Sequence, residues 1–200
     1  MIIDLTMEVS EKIPPFPGDP KAKFENIATI AKQGCNEKRF SINSHFSTHI
    51  DSPYHMLEEG KKLEEFPPET FFGDATIIDV RNISKITKVY IPKKISTRFL
   101  LFYTGHSDNI HSPDYFKKNP VITSDAAEEI IQHEIKIVGI DSFTPDNYPY
   151  NVHKILFGKD ILILENLINL DKLPKRCKVY VAPLNLTDAD GAPARVFAEI

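Results

Sequence analysis

The chain contains 200 residues, of which 42% are hydrophobic and 26% charged, so its composition is that of an ordinary globular protein and excludes disorder as the main state. Its 24 basic and 28 acidic side chains give a net charge of -4, and no basic cluster offers the stripe of cations that nucleic-acid binding requires. No apolar run approaches the roughly 20 residues that span a bilayer, so the sequence predicts a protein that binds neither nucleic acid nor membranes.

The amino-terminal residues lack the pattern of a secretion signal, because Asp4 interrupts the first apolar residues and no basic start precedes them. The chain has two cysteines, Cys35 and Cys177, which are too few for a disulfide framework. We therefore expect a cytoplasmic protein with reduced thiols, while a single disulfide bond between the two cysteines remains open.

Short runs that contain β-branched and aromatic residues recur along the chain and predict strands. Two helices are predicted, one over residues 125–133, which Thr123 and Ser124 would cap, and one over residues 149–158, which begins at a proline and ends at a glycine. No internal repeat or linker divides the chain, so we expect one compact α/β domain over residues 1–200, with a mixed sheet flanked by helices and at least one crossover. The predicted strands cover residues 1–5, 39–42, 75–80, 88–91, 99–103, 135–140, 161–164, 178–182 and 195–199.

Three of the seven histidines lie within residues 44–55, and this density is the main functional signal of the sequence. β-branched residues and a proline disfavour a helix through this segment. In an extended backbone the side chains at odd positions would share one face, and these are His45, His49, Asp51 and His55. Imidazole and carboxylate ligands together suit zinc, manganese or iron, so the spacing predicts half of a metal site.

Two candidate residues follow much later in the chain. His153 falls on the second predicted helix, and Glu165 closes the apolar run at residues 161–164. A carboxylate at the end of a buried strand is a common position for a site residue, but Glu165 alone could equally be solvated and His153 could lie on a helix surface. The other histidines have no such pattern and are interpreted as surface residues: His106, His111 and His133.

The segment from His45 to His55 resembles the hallmark of a known family, His-x-Gly-x-His-x-Asp-x-Pro-x-His, with Ser47 in place of the glycine. The family is that of the metal-dependent cyclase-like hydrolases, which include bacterial kynurenine formamidase and isatin hydrolase. Almost the whole chain takes part in the resemblance, including residues 4–6, 16–20, 103–105, 139–142, 165–167 and 190–195.

The resemblance implies a swivelling β/β/α fold and a pair of divalent metal ions, with Zn²⁺ as the first expectation and Mn²⁺ as the alternative. His45 and His49 would hold one ion and His153 the other, whereas Asp51 and Glu165 would bridge both. Carboxylates can bridge two cations whereas neutral imidazoles bind terminally, so this ligand set is chemically consistent.

Further roles are implied by the same resemblance. His55 would transfer protons, and Phe16 would contact the substrate ring, where relatives often carry tryptophan. Ser47 would place a side chain on the face of the metal ligands, where it would narrow the cavity or bind a ligand, and Met7 stands where many relatives carry histidine. Members of the family are homodimers or larger, so we expect a homodimer or homotetramer.

The leading functional hypothesis is hydrolysis of an amide-type C–N bond by metal-activated water. The substrate would be an N-formyl aryl amine such as N-formylkynurenine, or a cyclic amide such as isatin. The alternative is a non-catalytic protein that uses the same scaffold to bind metal or a small ligand. The presence of His55, which is not an obligatory ligand, favours the enzyme.

Overall fold

Strands predominate over helices in the computed structural model, which describes all residues from 1 to 200. The three α-helices are α1 (Ile30–Gln33), α2 (Ser124–Ile130) and α3 (Asn151–Phe157), and none is long or apolar enough to cross a membrane. The strands are β1 (Ile2–Asp4), β2 (Lys23–Ala28), β3 (Glu37–Ser41), β4 (His49–Asp51), β5 (Phe72–Asp79), β6 (Lys85–Ile86), β7 (Phe99–Tyr103), β8 (Val121–Ile122), β9 (Ile137–Ile140), β10 (Leu162–Glu165), β11 (Arg176–Pro183) and β12 (Gly191–Glu199).

Eight strands form one mixed sheet in the order β1-β12-β11-β5-β7-β9-β10-β4. Strands β5, β7, β9 and β10 run parallel to one another, and the remaining pairings are antiparallel. An additional antiparallel pairing of β4 with β12 closes seven of the strands into a ring. Strand β4 is therefore hydrogen-bonded on both sides, and all three of its residues are buried.

The central strands are apolar on both faces because both faces are covered. In β7, Phe99 and Leu101 pack inside the ring, whereas Leu100 and Phe102 pack on the other face against α2 and α3. All four side chains have no exposed surface. Continuous apolar runs of this kind are typical of parallel strands that are buried on both faces. The prediction of a mixed sheet flanked by helices is confirmed.

Some predicted elements differ in the structure. Residues 88–91 do not form a strand: Lys88–Tyr90 is a 3-10 helix, and Val89 is 78% exposed because no strand lies beside it. Helix α2 ends at Ile130 rather than at residue 133, since the amide of His133 turns back to the carbonyl of Ile130. The predicted helix at 149–158 begins two residues later, at Asn151.

Other elements were not predicted from the sequence. Strand β2 is mostly polar and exposed, and the pair β6–β8 has only two residues in each strand, so neither gives a strong apolar signal. Strand β3, the partner of β2, overlaps the strand predicted over residues 39–42. Strand β4 lies within the histidine segment but extends over only three residues.

Candidate metal centre and its cavity

Strand β4 supplies two of the predicted ligands. His49 and Asp51 alternate with Ile50, which packs into the core inside the ring. In the register of the sheet, Glu165 lies directly opposite His49, and Gly191 lies opposite Asp51. The antiparallel pairing of β4 with β10 is therefore what brings the downstream carboxylate to the upstream motif.

The remaining histidines of the motif reach the same place without an extended backbone. His45 precedes β4 in a turn, and His55 lies on the 3-10 helix Pro53–His55. The expectation of one extended strand through residues 45–55 is therefore wrong at both ends. The turn and the 3-10 helix fold the two ends back, so the four side chains still converge.

Ser47 forms the turn that precedes β4. Its φ of 60° lies in the left-handed region that favours glycine, which explains the glycine of the family motif. The hydroxyl donates to the carbonyls of Met7 and Glu8 at 2.9 and 3.0 Å, and the Ser47 carbonyl accepts from His49. The side chain of Ser47 thus binds the amino-terminal segment rather than a metal ligand, which corrects its expected role.

Three groups of side chains offer metal-ligating atoms, and two of them consist only of the predicted ligands and share one residue; the third is His45, His55 and Asp190, which lies nearer to solvent. The first donor group is His45, His49 and Asp51, and the second donor group is Asp51, His153 and Glu165. Within each group the candidate ligand atoms lie within 4.8 Å of one another. The structure therefore brings together all the residues that the sequence proposed as metal ligands.

Asp51 and Glu165 connect the two groups. Asp51 Oδ1 lies 2.7 Å from His45 Nδ1 and 3.2 Å from His49 Nε2. Glu165 directs Oε2 towards His49 Nε2, at 3.3 Å, and Oε1 towards His153 Nε2, at 3.5 Å. Each oxygen of the glutamate therefore faces a different histidine.

Each of the three histidines also has an acceptor on its second ring nitrogen. His45 Nε2 lies 2.8 Å from Asp190, and His49 Nδ1 donates to the carbonyl of Ser47 at 2.9 Å. His153 Nδ1 donates to Asp146 at 2.5 Å. Metal-binding histidines generally have such an outer partner, which fixes the ring and leaves the other nitrogen for the ion. The donor set thus fits divalent metal ions.

The charges of the site lead to the same conclusion. Burial alone would lower the pKa of His45, but the carboxylates of Asp51 and Asp190 outweigh it and raise this pKa to about 9. Burial would likewise lower the pKa of His153, but Asp146 and Glu165 outweigh this effect and raise the pKa to about 9. No lysine or arginine lines the cavity. The buried carboxylates therefore have only histidines beside them and favour cations.

His55 lies nearer to solvent than the ligand candidates. Its side chain is 28% exposed, its ring centroid is 3.9 Å from that of His45, and Nδ1 is 3.6 Å from Asp190. Burial lowers the pKa of His55; the Asp51 carboxylate opposes this effect and the His45 ring reinforces it. A histidine with a lowered pKa beside the ligands is suited to accept and return a proton.

The ligands lie in a cavity of about 490 Å³ that also has an aromatic side. We name this side the aromatic wall, and it consists of Phe16, Tyr115, Phe116 and Phe143. The ring of Phe16 is 5.8 Å from that of Phe116 and 6.0 Å from that of Phe143, and Phe16 itself is 44% exposed. The residue predicted to contact a substrate ring thus lies in the same cavity as the metal candidates.

Several residues of the site were missed in the sequence. Asp146 and Asp190 bind histidines but follow no recognised spacing, although Asp190 begins a segment of family resemblance. His106 was interpreted as a surface residue, which is wrong: its ring stacks on Tyr115 at 4.6 Å, and Nε2 bonds the Tyr115 carbonyl. The same expectation is wrong for His133, whose side chain is 13% exposed, whereas His111 is exposed, as expected.

Comparison with known proteins gives consistent matches over most or all of the chain. Residues 3–147 match the Cyclase family, described as "Putative cyclase". The kynurenine formamidase of Bacillus thuringiensis (strain Al Hakam) is 31% identical, with 96% of this chain and 94% of the relative covered. The identity to this enzyme extends well beyond the histidine motif.

Solved structures have the same fold. Isatin hydrolase A from Ralstonia solanacearum has a TM-score of 0.87 and 25% identity, covering 99% of this chain and 91% of that one. A structure described as a potential metal-dependent hydrolase with cyclase activity has a TM-score of 0.86 and 28% identity, covering 99% and 96%. The expected fold is confirmed, and the chain belongs to the cyclase family of metal-dependent hydrolases.

Proposed function

We propose that the protein hydrolyses the amide-type C–N bond of an N-formyl aryl amine, such as N-formylkynurenine, or of a cyclic amide, such as isatin. The observation that carries the proposal is a single cavity in which two donor groups share Asp51 and face an aromatic wall. Similarity to a kynurenine formamidase and to an isatin hydrolase supports the same reaction type.

The two donor groups would hold two divalent ions. His45 and His49 would bind the first ion, His153 would bind the second, and Asp51 and Glu165 would bridge them. The two separately directed oxygens of Glu165 support bridging. Zn²⁺ is our first candidate and Mn²⁺ the second, because both accept imidazole and carboxylate ligands. When bound, such ions activate water and polarise a carbonyl oxygen.

His55 would carry the protons of the reaction. It lies beside His45 at the more exposed side of the ligand cluster, and its Nδ1 is 3.6 Å from Asp190. In our proposal it takes the proton of the attacking water and gives it to the departing nitrogen. The amide bond breaks as the nitrogen gains this proton, and the carboxylate product keeps the oxygen of water.

The aromatic wall would position the substrate. Phe16, Phe116 and Phe143 line the cavity and pack on one another with tilted or edge-to-face rings, and aromatic side chains of this kind suit a planar aromatic group. Such packing would place the amide carbonyl of a formanilide or an isatin ring over the donor groups. A small aliphatic amide would gain little from the same wall.

A panel of amides tests the proposal. The purified protein, loaded with Zn²⁺ or Mn²⁺, is incubated with N-formylkynurenine, isatin, formanilide and an aliphatic N-formyl amine. We expect metal-dependent hydrolysis of at least one aromatic substrate and loss of activity with a chelator. Complete inertness of a protein with fully bound metal would support the alternative, a non-catalytic protein that binds metal or a small ligand.

We also propose that the protein is a homodimer or homotetramer. The hairpin β2–β3 pairs only with itself, and β3 is exposed along its whole length, with Phe40 55% exposed. An isolated two-stranded hairpin is marginally stable, so a second copy packed on this face would stabilise it. Light scattering tests this proposal: a mass of one chain at micromolar concentration would contradict it.

A cytoplasmic location is proposed from the cysteines. Cys35 and Cys177 are not joined in the structure, so the fold does not depend on a disulfide bond. Fractionation of cells that express the native gene would test the location.

A further inference from the structure

Asp146 lies outside both donor groups but contacts one of their members. It is in the loop between β9 and α3, and its side chain is 8% exposed. The hydroxyl of Thr144 donates to its backbone carbonyl at 2.9 Å, which holds the loop in place. Neither oxygen of its carboxylate contacts a lysine or an arginine.

The two carboxylate oxygens of Asp146 have different partners. Oδ2 accepts the backbone N–H of Val152, in the first turn of α3, at 2.6 Å. Oδ1 accepts the Nδ1–H of His153, the next residue, at 2.5 Å. One buried side chain therefore holds the start of the helix and the ring that the helix carries.

We propose that Asp146 is the positioning residue of the second donor group: it keeps the proton of His153 on Nδ1 and directs Nε2 towards Glu165. A carboxylate can only accept, so the nitrogen that faces it must carry hydrogen. Nε2 is then the nitrogen that remains for a metal ion, and it lies 3.5 Å from Glu165 Oε1. This inference rests on the proposed metal binding by His153, but not on the proposed substrate.

The other two histidines are held in different ways. The acceptor for His49 is the backbone carbonyl of Ser47, which no substitution of a side chain removes directly. The acceptor for His45 is Asp190, whose side chain is 39% exposed, so water can replace it. Only His153 depends on a buried side-chain carboxylate. We therefore expect the second donor group to be the one that is sensitive to a change in its outer partner.

The substitution Asp146→Asn tests this role directly, because it replaces one of the two acceptor oxygens with an NH₂ donor. The N–H groups of Val152 and His153 point at different oxygens of the carboxylate, so in the variant one of them faces the amide NH₂ instead. If the oxygen stays with Val152, the NH₂ group donates to Nδ1 and drives the proton of His153 to Nε2. If it turns to His153, the first turn of α3 loses its partner and the ring moves with it.

The matched control is Asp141→Asn. Asp141 is also buried, at 1% exposure, and begins the same loop, but it accepts from Thr104 and Gly105 and contacts no histidine. This variant has the same loss of charge and the same loss of acceptors in a buried position. Its zinc affinity should stay within about twofold of the wild-type value, since no outer partner of a ligand is changed.

The experiment is a zinc titration of the full chain in competition with a chromophoric chelator. For Asp146→Asn we expect one of the two zinc equivalents to bind about 10- to 100-fold more weakly, which is the usual effect of losing an outer partner, while the other equivalent is unchanged. Circular dichroism checks that the variant is folded. Affinities of both equivalents equal to those of wild type would overturn the proposal.

A second measurement needs no variant. In the zinc-loaded wild type, ¹⁵N-labelled histidine spectra should place a slowly exchanging proton on Nδ1 of His153 and none on Nε2. A proton on Nε2 instead would overturn the proposal even if Asp146→Asn did not fold. Zinc binding with these features but without amide hydrolysis would refute the proposed substrate alone, so the two failures are distinguishable.

Discussion

The two donor groups of the site are built in opposite ways. His45, His49 and Asp51 lie within one segment of seven residues, whereas His153 and Glu165 come from α3 and β10, more than 100 residues later. The first group depends on local chain geometry, which a sequence motif can record. The second exists only because β4 pairs with β10 and α3 packs beside that strand, so it depends on the fold as a whole.

Substitution of the shared residue has the largest expected effect. Asp51→Ala removes the one residue that both groups use, so we expect loss of both metal equivalents and of activity. It also leaves buried histidines without their carboxylate, which should lower the free energy of unfolding by about 3 kcal/mol or more. Metal analysis and urea denaturation measure the two effects.

His45→Ala is the matched control for this change, because His45 belongs to the first donor group and not to the second. It should retain about one metal equivalent of the two. An Asp51→Ala variant that keeps two equivalents would contradict the sharing of Asp51.

His55→Ala separates chemistry from metal binding. Because His55 lies outside the proposed ligand set, this variant should keep its metal content and fold, while kcat falls by roughly 10² to 10⁴-fold, the usual contribution of general acid-base catalysis. Metal content and kcat are measured on the same preparation. Unaltered kcat would assign the proton transfer to another group, and loss of metal would make His55 a ligand.

The contrast between the donor groups also explains what the sequence could predict. The strand at residues 99–103 was predicted with its observed bounds, because a continuous run of large apolar side chains needs only to be buried on both faces. The ligands of the motif were found from spacing, although the extended backbone assumed for them is confined to His49–Asp51.

The outer partners of the histidines could not be predicted in the same way. Asp190 reaches His45 through the pairing of β4 with β12, and Asp146 reaches His153 through a loop that turns back on α3. Neither contact follows a spacing that a sequence motif would record. The environment of His106 could not be predicted for the same reason, because its burial depends on the fold of the loop that carries Tyr115.

The aromatic wall differs from the donor groups in being partly open, so its substitution should have a smaller effect. Phe16→Ala should raise KM for an aromatic amide about 3- to 10-fold, the value of one aromatic contact, with little change in kcat. Steady-state kinetics with formanilide and with an aliphatic N-formyl amine measure this. The aliphatic substrate is the control, and an equal effect on both would argue against packing of a ring on Phe16.

Asp141 is a buried carboxylate that has no histidine beside it, and its pKa is shifted in the opposite direction from that of Asp51. The histidines hold the pKa of Asp51 well below 3.8 despite its burial, whereas burial raises the pKa of Asp141 from 3.8 to about 6 against the hydrogen bonds of Thr104. Between about pH 4 and 6, the Asp141 carboxyl is therefore protonated in the native state but ionised in the unfolded chain. This difference in proton binding lowers the free energy of unfolding as the pH rises through that window.

Urea denaturation of the chelator-treated wild type and of Asp141→Asn measures this contribution. The difference in unfolding free energy, wild type minus variant, should fall by at most about 3 kcal/mol from pH 4 to pH 7. A difference that rises over this range would show that hydrogen bonding to the carboxylate outweighs its burial.

The most direct test of the two connected donor groups is anomalous diffraction from zinc-loaded crystals, with data collected on both sides of the zinc absorption edge. We predict two peaks in each chain, with ligand distances of about 2.0 to 2.2 Å. One peak should lie among His45, His49, Asp51 and Glu165, and the other among Asp51, Glu165 and His153. A single peak, or peaks bound by other residues, would contradict the account.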